Sequence, residues 1–135
     1  RRMTPRITLF IASLHVLLYL VLSLRVVRRR QQARIGVGSG GDQAMALRMR
    51  VHGNFAEYVP LALVMLALLE LCGLPAPLLW TCGLVLLAGR VLHAIGLGGS
   101  AGYSFGRFGG AMLTFLALLA MALAGLWRFA VQFLA

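Results

Sequence analysis

The chain has 135 residues, of which 61% are hydrophobic and only 12% charged, with a mean hydropathy of +0.90. This exceeds what a soluble domain of that length needs for its core, so the excess must face lipid. All 13 basic residues are arginine, against three acids, Asp42, Glu57 and Glu70, and the net charge is +10. The arginines punctuate apolar runs, a pattern unlike that of a nucleic-acid-binding domain. Cys72 and Cys82 are too few for a disulfide framework, and no Cys/His cluster has metal-ligand spacing. The composition is that of an all-α integral membrane protein.

Crossing about 30 Å of hydrocarbon takes about 20 apolar residues in a helix. Four such runs are predicted, which makes the chain a single four-helix transmembrane bundle. The first covers about Ile7 to Val27, too long and without the small-residue cleavage site of a signal peptide. The second covers about Ala46 to Cys72, polar in its first half and apolar in its second. Leu74-Pro75-Ala76-Pro77 then forms a tight turn, because proline breaks a helix but is accepted at its start. The third runs from about Leu78 to Leu97 and the fourth from about Phe105 to Phe133. A basic, glycine-rich loop (Arg28 to Gln43) joins the first pair, and a second glycine-rich loop (Gly96 to Gly106) joins the last. Gly96-Leu-Gly-Gly-Ser-Ala101 fits a relaxed dinucleotide pattern, but no strand precedes it and it reads as a connector.

Arginine bias in short loops sets orientation. Arg28, Arg29, Arg30, Arg34, Arg48, Arg50 and Arg107 lie on one side, against Arg6 and Arg128 on the other. The basic side is expected to be cytoplasmic, with both termini outside.

An ionisable group inside hydrocarbon is expensive, about 2.5–3.5 kcal/mol on insertion scales, and asks for a reason. At ~100° per residue, Arg50, Asn54, Glu57 and Tyr58 share one face of the second helix. Arg90, His93 and Leu97 share a face of the third, and Arg107 opens the fourth. These groups are expected to converge on a cationic cavity near the inner edge of the membrane. Glu57 is a single acid against Arg50, Arg90 and Arg107, so a small anion with several carboxylates would balance the charge. A purely structural network, in which Glu57 neutralises Arg50 or Arg90, is the alternative.

The run Arg50-Val-His-Gly-Asn-Phe-Ala-Glu-Tyr-Val-Pro60 resembles the second-helix signature of the MAPEG family, the membrane-associated proteins of eicosanoid and glutathione metabolism. Gly89-Arg90-Val-Leu-His93 and Phe105-Gly-Arg-Phe-Gly109 support it, and the likeness, to a bacterial-type member, extends over nearly the whole chain. The resemblance implies a homotrimer in a bacterial inner membrane, with glutathione held between subunits near the cytosolic face. The family's glutathione-binding residues on the second helix fall on Arg50, Asn54 and Glu57. Tyr58 follows as in the leukotriene synthase. A basic residue at the end of the first helix falls on Arg30, with Arg28 as the alternative. The arginine that faces the glutathione sulfur falls on Arg107, the implied catalytic residue. Arg90 and His93 complete the set.

Three positions depart from the family's synthases. His93 matches the prostaglandin enzyme and not the tyrosine of the leukotriene enzyme. Leu97 replaces a tyrosine found in both, and Phe108 stands where the prostaglandin enzyme has a polar residue. These differences bear on the lipid substrate more than on the glutathione cradle.

The expected activity is glutathione transfer or peroxidase chemistry on a lipophilic electrophile or hydroperoxide arriving from the membrane lipid. A glutathione- or lipid-binding scaffold without turnover is one alternative. A small multidrug exporter is another, though the first helix lacks the carboxylate such exporters use. Elsewhere, His15 reads as a bundle-facing hydrogen-bonder, His52 faces away from the Arg50/Glu57 stripe, and Glu70 is expected at the outer interface. Tyr103 is read either as a substrate contact or as an interface anchor. Trp80 and Trp127 read as belt residues. Cys72 and Cys82 are read as small apolar packing, with a disulfide as the alternative.

Overall fold

The structure is a computed structural model that describes residues 4–99 and 104–134, with side chains throughout except at 97–99 and 133. Among the described residues every regular element is helical: α1 (Arg6–Ala33), α2 (Gln43–Leu71), α3 (Ala76–Gly99) and α4 (Phe105–Phe129), followed by a π-helical turn over Ala130–Leu134. All four long helices are long and apolar enough to cross a membrane. Tyr103 lies outside the described residues, and the side chain of Leu97 is not described.

α1 ends six residues later than hydropathy alone predicts. Arginine is a good helix former, and charge stops a hydrophobic run without stopping a helix. Arg28, Arg29 and Arg30 therefore stand on the last turns of α1, and the loop shrinks to residues 34–42. The chain leaves α1 through Arg34 in the left-handed region (φ 54°), its N–H returning to the Arg30 and Gln31 carbonyls. Asp42 caps α2, accepting from the Met45 N–H at 2.7 Å, and also pairs with Arg29. The Arg29 guanidinium, with the Met45 N–H, holds the Asp42 carboxyl below the usual carboxylate range.

At the opposite end, Glu70 turns inward to the start of α1 and is not a solvated side chain. It is 8% exposed and accepts from the Ile7 N–H (2.9 Å), the Thr8 N–H (2.7 Å) and the Thr8 hydroxyl (2.7 Å). The physical reason is the start of α1. Pro5 supplies no capping side chain, and the free N–H groups of the first turn need an acceptor. Arg128 and Gln132 both donate to the Cys72 carbonyl, so the start of α1, the α2–α3 turn and the end of α4 share one end of the bundle. The cysteines are free, Cys72 exposed and Cys82 half-buried.

α2 and α3 each pack on the other three helices, while α1 and α4 do not meet among the described residues. One apolar cluster, including Ile11, Leu66, Leu69, Leu86 and Met121, fills the end near Glu70. A second, of Leu22, Val51, Phe55, Val59 and Ala94, fills the other half. α3 and α4 approach backbone to backbone. A Cβ on Gly110 would lie 2.5 Å from the His93 nitrogen and 2.6 Å from the Gly89 oxygen, and one on Gly96 would strike the Arg107 nitrogen. Small residues permit this contact, as membrane helix pairs generally require.

Candidate functional site

The second-helix stripe splits between two environments. Arg50 Nη1 donates to Glu57 Oε1 at 3.1 Å, and this pair lies on the flank of the bundle with side chains 60% and 51% exposed. Asn54, one turn between them, points inward to α3. Arg90 Nη1 donates to its side-chain Oδ1 at 2.7 Å and to its backbone oxygen at 3.4 Å. Tyr58 is half-buried, its ring edge-on to Phe115 of α4 with centroids 5.5 Å apart. The stripe thus runs from an outward ion pair to an inward amide within two turns of one helix.

Arg90 and His93 are both buried, at 2% and 6% exposure. The carboxylates lie elsewhere: Asp42 on Arg29, Glu57 on Arg50, and Glu70 at the start of α1. The guanidinium of Arg90 is held by the neutral Asn54, and its Nε has no hydrogen-bond partner among the described residues. His93 lies three residues after Arg90 on α3, and a Cβ on Gly110 of α4 would lie 2.5 Å from its backbone nitrogen. Arg107 is exposed on the first turn of α4. Ser104 fixes that turn: its hydroxyl oxygen accepts from the Arg107 N–H at 3.2 Å and donates to the Gly96 carbonyl at 3.1 Å. The positive end of the α4 dipole and the Arg107 side chain therefore reinforce each other.

The structure joins Arg50 to Glu57 and Asn54 to Arg90, with Tyr58 on the same stretch of α2, His93 one turn after Arg90 and Arg107 on the first turn of α4. Arg30 is placed apart. Its guanidinium holds the α1–α2 loop through the Gly36 (3.3 Å) and Gly38 (3.1 Å) carbonyls and touches the Met49 sulfur. Arg28 is exposed on the same end of α1. His15 is a bundle-facing hydrogen-bonder, Nδ1 to the Ile11 carbonyl at 2.8 Å. Since that nitrogen faces a carbonyl oxygen, it is the donor of the pair. His52 bonds Ser23 at 3.1 Å and stacks on Tyr19, away from the Arg50/Glu57 pair. The Arg90–Asn54 contact is missed by sequence reasoning. Asn54 and Arg90 are each visible on their own helix, but their pairing joins positions 36 apart with no local signal.

The chain is 40% identical to the inner membrane protein YecN of Escherichia coli strain K12 over 116 residues, 86% of this chain and 87% of that protein. YecN of the O6:H1 strain matches to the same extent. The MAPEG family profile matches residues 8–127, covering all four membrane helices, and the chain belongs to the MAPEG family.

Proposed function

We propose that this protein binds glutathione on the α2 flank and directs its thiolate at a lipophilic electrophile or hydroperoxide, as a membrane transferase or peroxidase. The observation that carries the reading is the exposed Arg50–Glu57 pair on the same helix face as Asn54, which Arg90 holds from α3. An ion pair over half exposed on the flank of a membrane helix needs a polar cover, which a neighbouring subunit and a charged ligand together supply. The donor set suits glutathione. Arg50 can grip a carboxylate through its fork, Glu57 can receive the ammonium, and Asn54 can bond a peptide group. When bound, glutathione supplies the nucleophilic sulfur. Arg107 then has one task, to place positive charge where that sulfur is anionic. In this reading the basic ends of the helices face the cytoplasm, and Arg30 or Arg28 reaches the ligand from a neighbouring subunit of a homotrimer.

The test is glutathione-dependent turnover by detergent-purified protein over a panel of aryl halides and lipid hydroperoxides. Turnover is expected with at least one class. Calorimetric binding without turnover would instead mark a scaffold, and no binding would overturn the reading.

A further inference from the structure

We infer that Arg90 is a positioning residue: it caps the carbonyl oxygen of Asn54, so that Asn54 serves the site as a hydrogen-bond donor only. The inference rests on the proposed glutathione reading for its ligand and on the described geometry for its clamp.

An asparagine amide carries an acceptor and a donor on one carbon, and either can face a ligand. Here the choice is made by the neighbour. A guanidinium has donors and no acceptor, so the atom of Asn54 facing Arg90 at 2.7 Å must be the oxygen. The same Nη1 reaches the Asn54 backbone oxygen at 3.4 Å, which fixes the guanidinium to the helix as well as to the side chain. With the oxygen turned to α3, the NH2 group is turned away from it. Arg90 itself is 2% exposed and lies behind Asn54, so it does not reach a ligand on the α2 flank. Its charge has no carboxylate partner among the described residues. It therefore stays in place through Asn54 and acts on a ligand through Asn54.

The consequence is chemical selectivity. At this position the site offers N–H and will favour a carbonyl or carboxylate oxygen over an amide or ammonium donor. Glu57 then remains the one acceptor on the stripe for a positively charged group. Along this face of α2 the order is donor, donor, acceptor from Arg50 through the more inward Asn54 to Glu57, which suits an elongated zwitterion in one direction.

Asn54→Asp separates the two halves of this inference. It keeps an oxygen against Arg90, supplies the missing counter-charge, and removes the NH2 donor. In the full-length protein in detergent, Asn54→Asp is expected to raise Tm by about 3 °C or more. It should also weaken glutathione binding by about tenfold or more in calorimetry, one charge-assisted contact being worth about that factor. KM for glutathione should rise while kcat at saturation stays near normal. In an Arg90→Met background the same change should lower Tm, because the new carboxylate then has no partner. An Asn54→Asp protein that is no more stable than the parent, or no longer folds, overturns the clamp. Greater stability with unchanged affinity overturns the donor role. If the unaltered protein binds no glutathione, the proposed function and the ligand half of this inference fall together, while the Tm comparison still decides the clamp.

Discussion

Arg50, Glu57 and Arg107 hold their charges in different ways, and their variants should fail differently. Arg50 and Glu57 pair with each other on the flank, so removing either also strands its partner. Arg50→Ala and Glu57→Gln should each lower glutathione affinity roughly tenfold to a hundredfold, the loss of about 1.5–3 kcal/mol from one charge-assisted contact. Calorimetry giving unchanged affinity for both would remove the proposed pose. Arg107 sits where the α4 dipole is already positive. A thiol with a free pKa near ~8.5 is only a few per cent thiolate at neutral pH, and about one unit of depression is worth about 1.4 kcal/mol. Arg107→Leu should therefore bind glutathione almost normally, lose most turnover, and move the ultraviolet thiolate titration of the bound ligand to higher pH. An unmoved titration with normal turnover would free Arg107 of this role.

The four helices are legible in hydropathy because each must fill a fixed thickness of hydrocarbon. Their partners are less so. Glu70 meets Thr8 across 62 positions and Arg90 meets Asn54 across 36, distances at which local pattern carries no information. The end of α1 is hidden for a different reason: the arginine run looks like a loop to a hydropathy scale but is helical by propensity. The α3–α4 contact gives a sharp element-scale prediction. Gly110→Ala places its methyl against the backbone of His93 and Gly89, which cannot rotate away, and overpacking of this kind costs about 1–3 kcal/mol. It should lower Tm and also activity, since the helices that carry His93 and Arg107 must part. Gly109→Ala, which meets nothing within 4 Å, should leave Tm equal or higher. If both variants melt alike, the close approach is not what holds the pair. The α1–α2 loop yields a pH prediction. The carboxyl of Asp42 is depressed in the folded protein, so its contribution is complete above the ordinary carboxylate pKa of about 3.9 and is lost as pH falls through the depressed value. Proteolysis within residues 34–42, using an acid-active protease at the low end, should stay flat from about pH 8 to 5 and rise only below about pH 4. Asp42→Asn should be cut readily at every pH, and a variant as resistant as the parent between about pH 8 and 5 would remove the lock.

As a whole molecule, the bundle exposes an ion pair on one flank and apolar side chains such as Leu61, Val64 and Leu68 along the same helix. The flank of α2 that carries the ion pair is where a second copy of the chain is expected to pack. Native mass spectrometry in mild detergent should find trimers, and glutathione should bind only to them. Monomers or dimers alone would sink the intersubunit site, though not the family assignment. That assignment explains why the helix order and the spacing of the polar groups were readable from one sequence. The orientation of each amide and guanidinium was not, because it depends on which neighbour arrives.

The two carboxylate locks have a mechanical consequence for the bilayer. Asp42 holds Arg29 at one end of the α1–α2 hairpin and Glu70 holds Thr8 at the other. The stretch of α1 between these ties is ~32 Å long at about 1.5 Å per residue, close to the ~30 Å hydrocarbon thickness. A helix pair tied at both ends cannot slide to match a thinner or thicker membrane. Mismatch must instead be met by tilting the pair as a rigid plate or by deforming the surrounding lipid. The hairpin behaves as a ruler set to one membrane thickness, and the α2 flank is carried at a fixed depth along it.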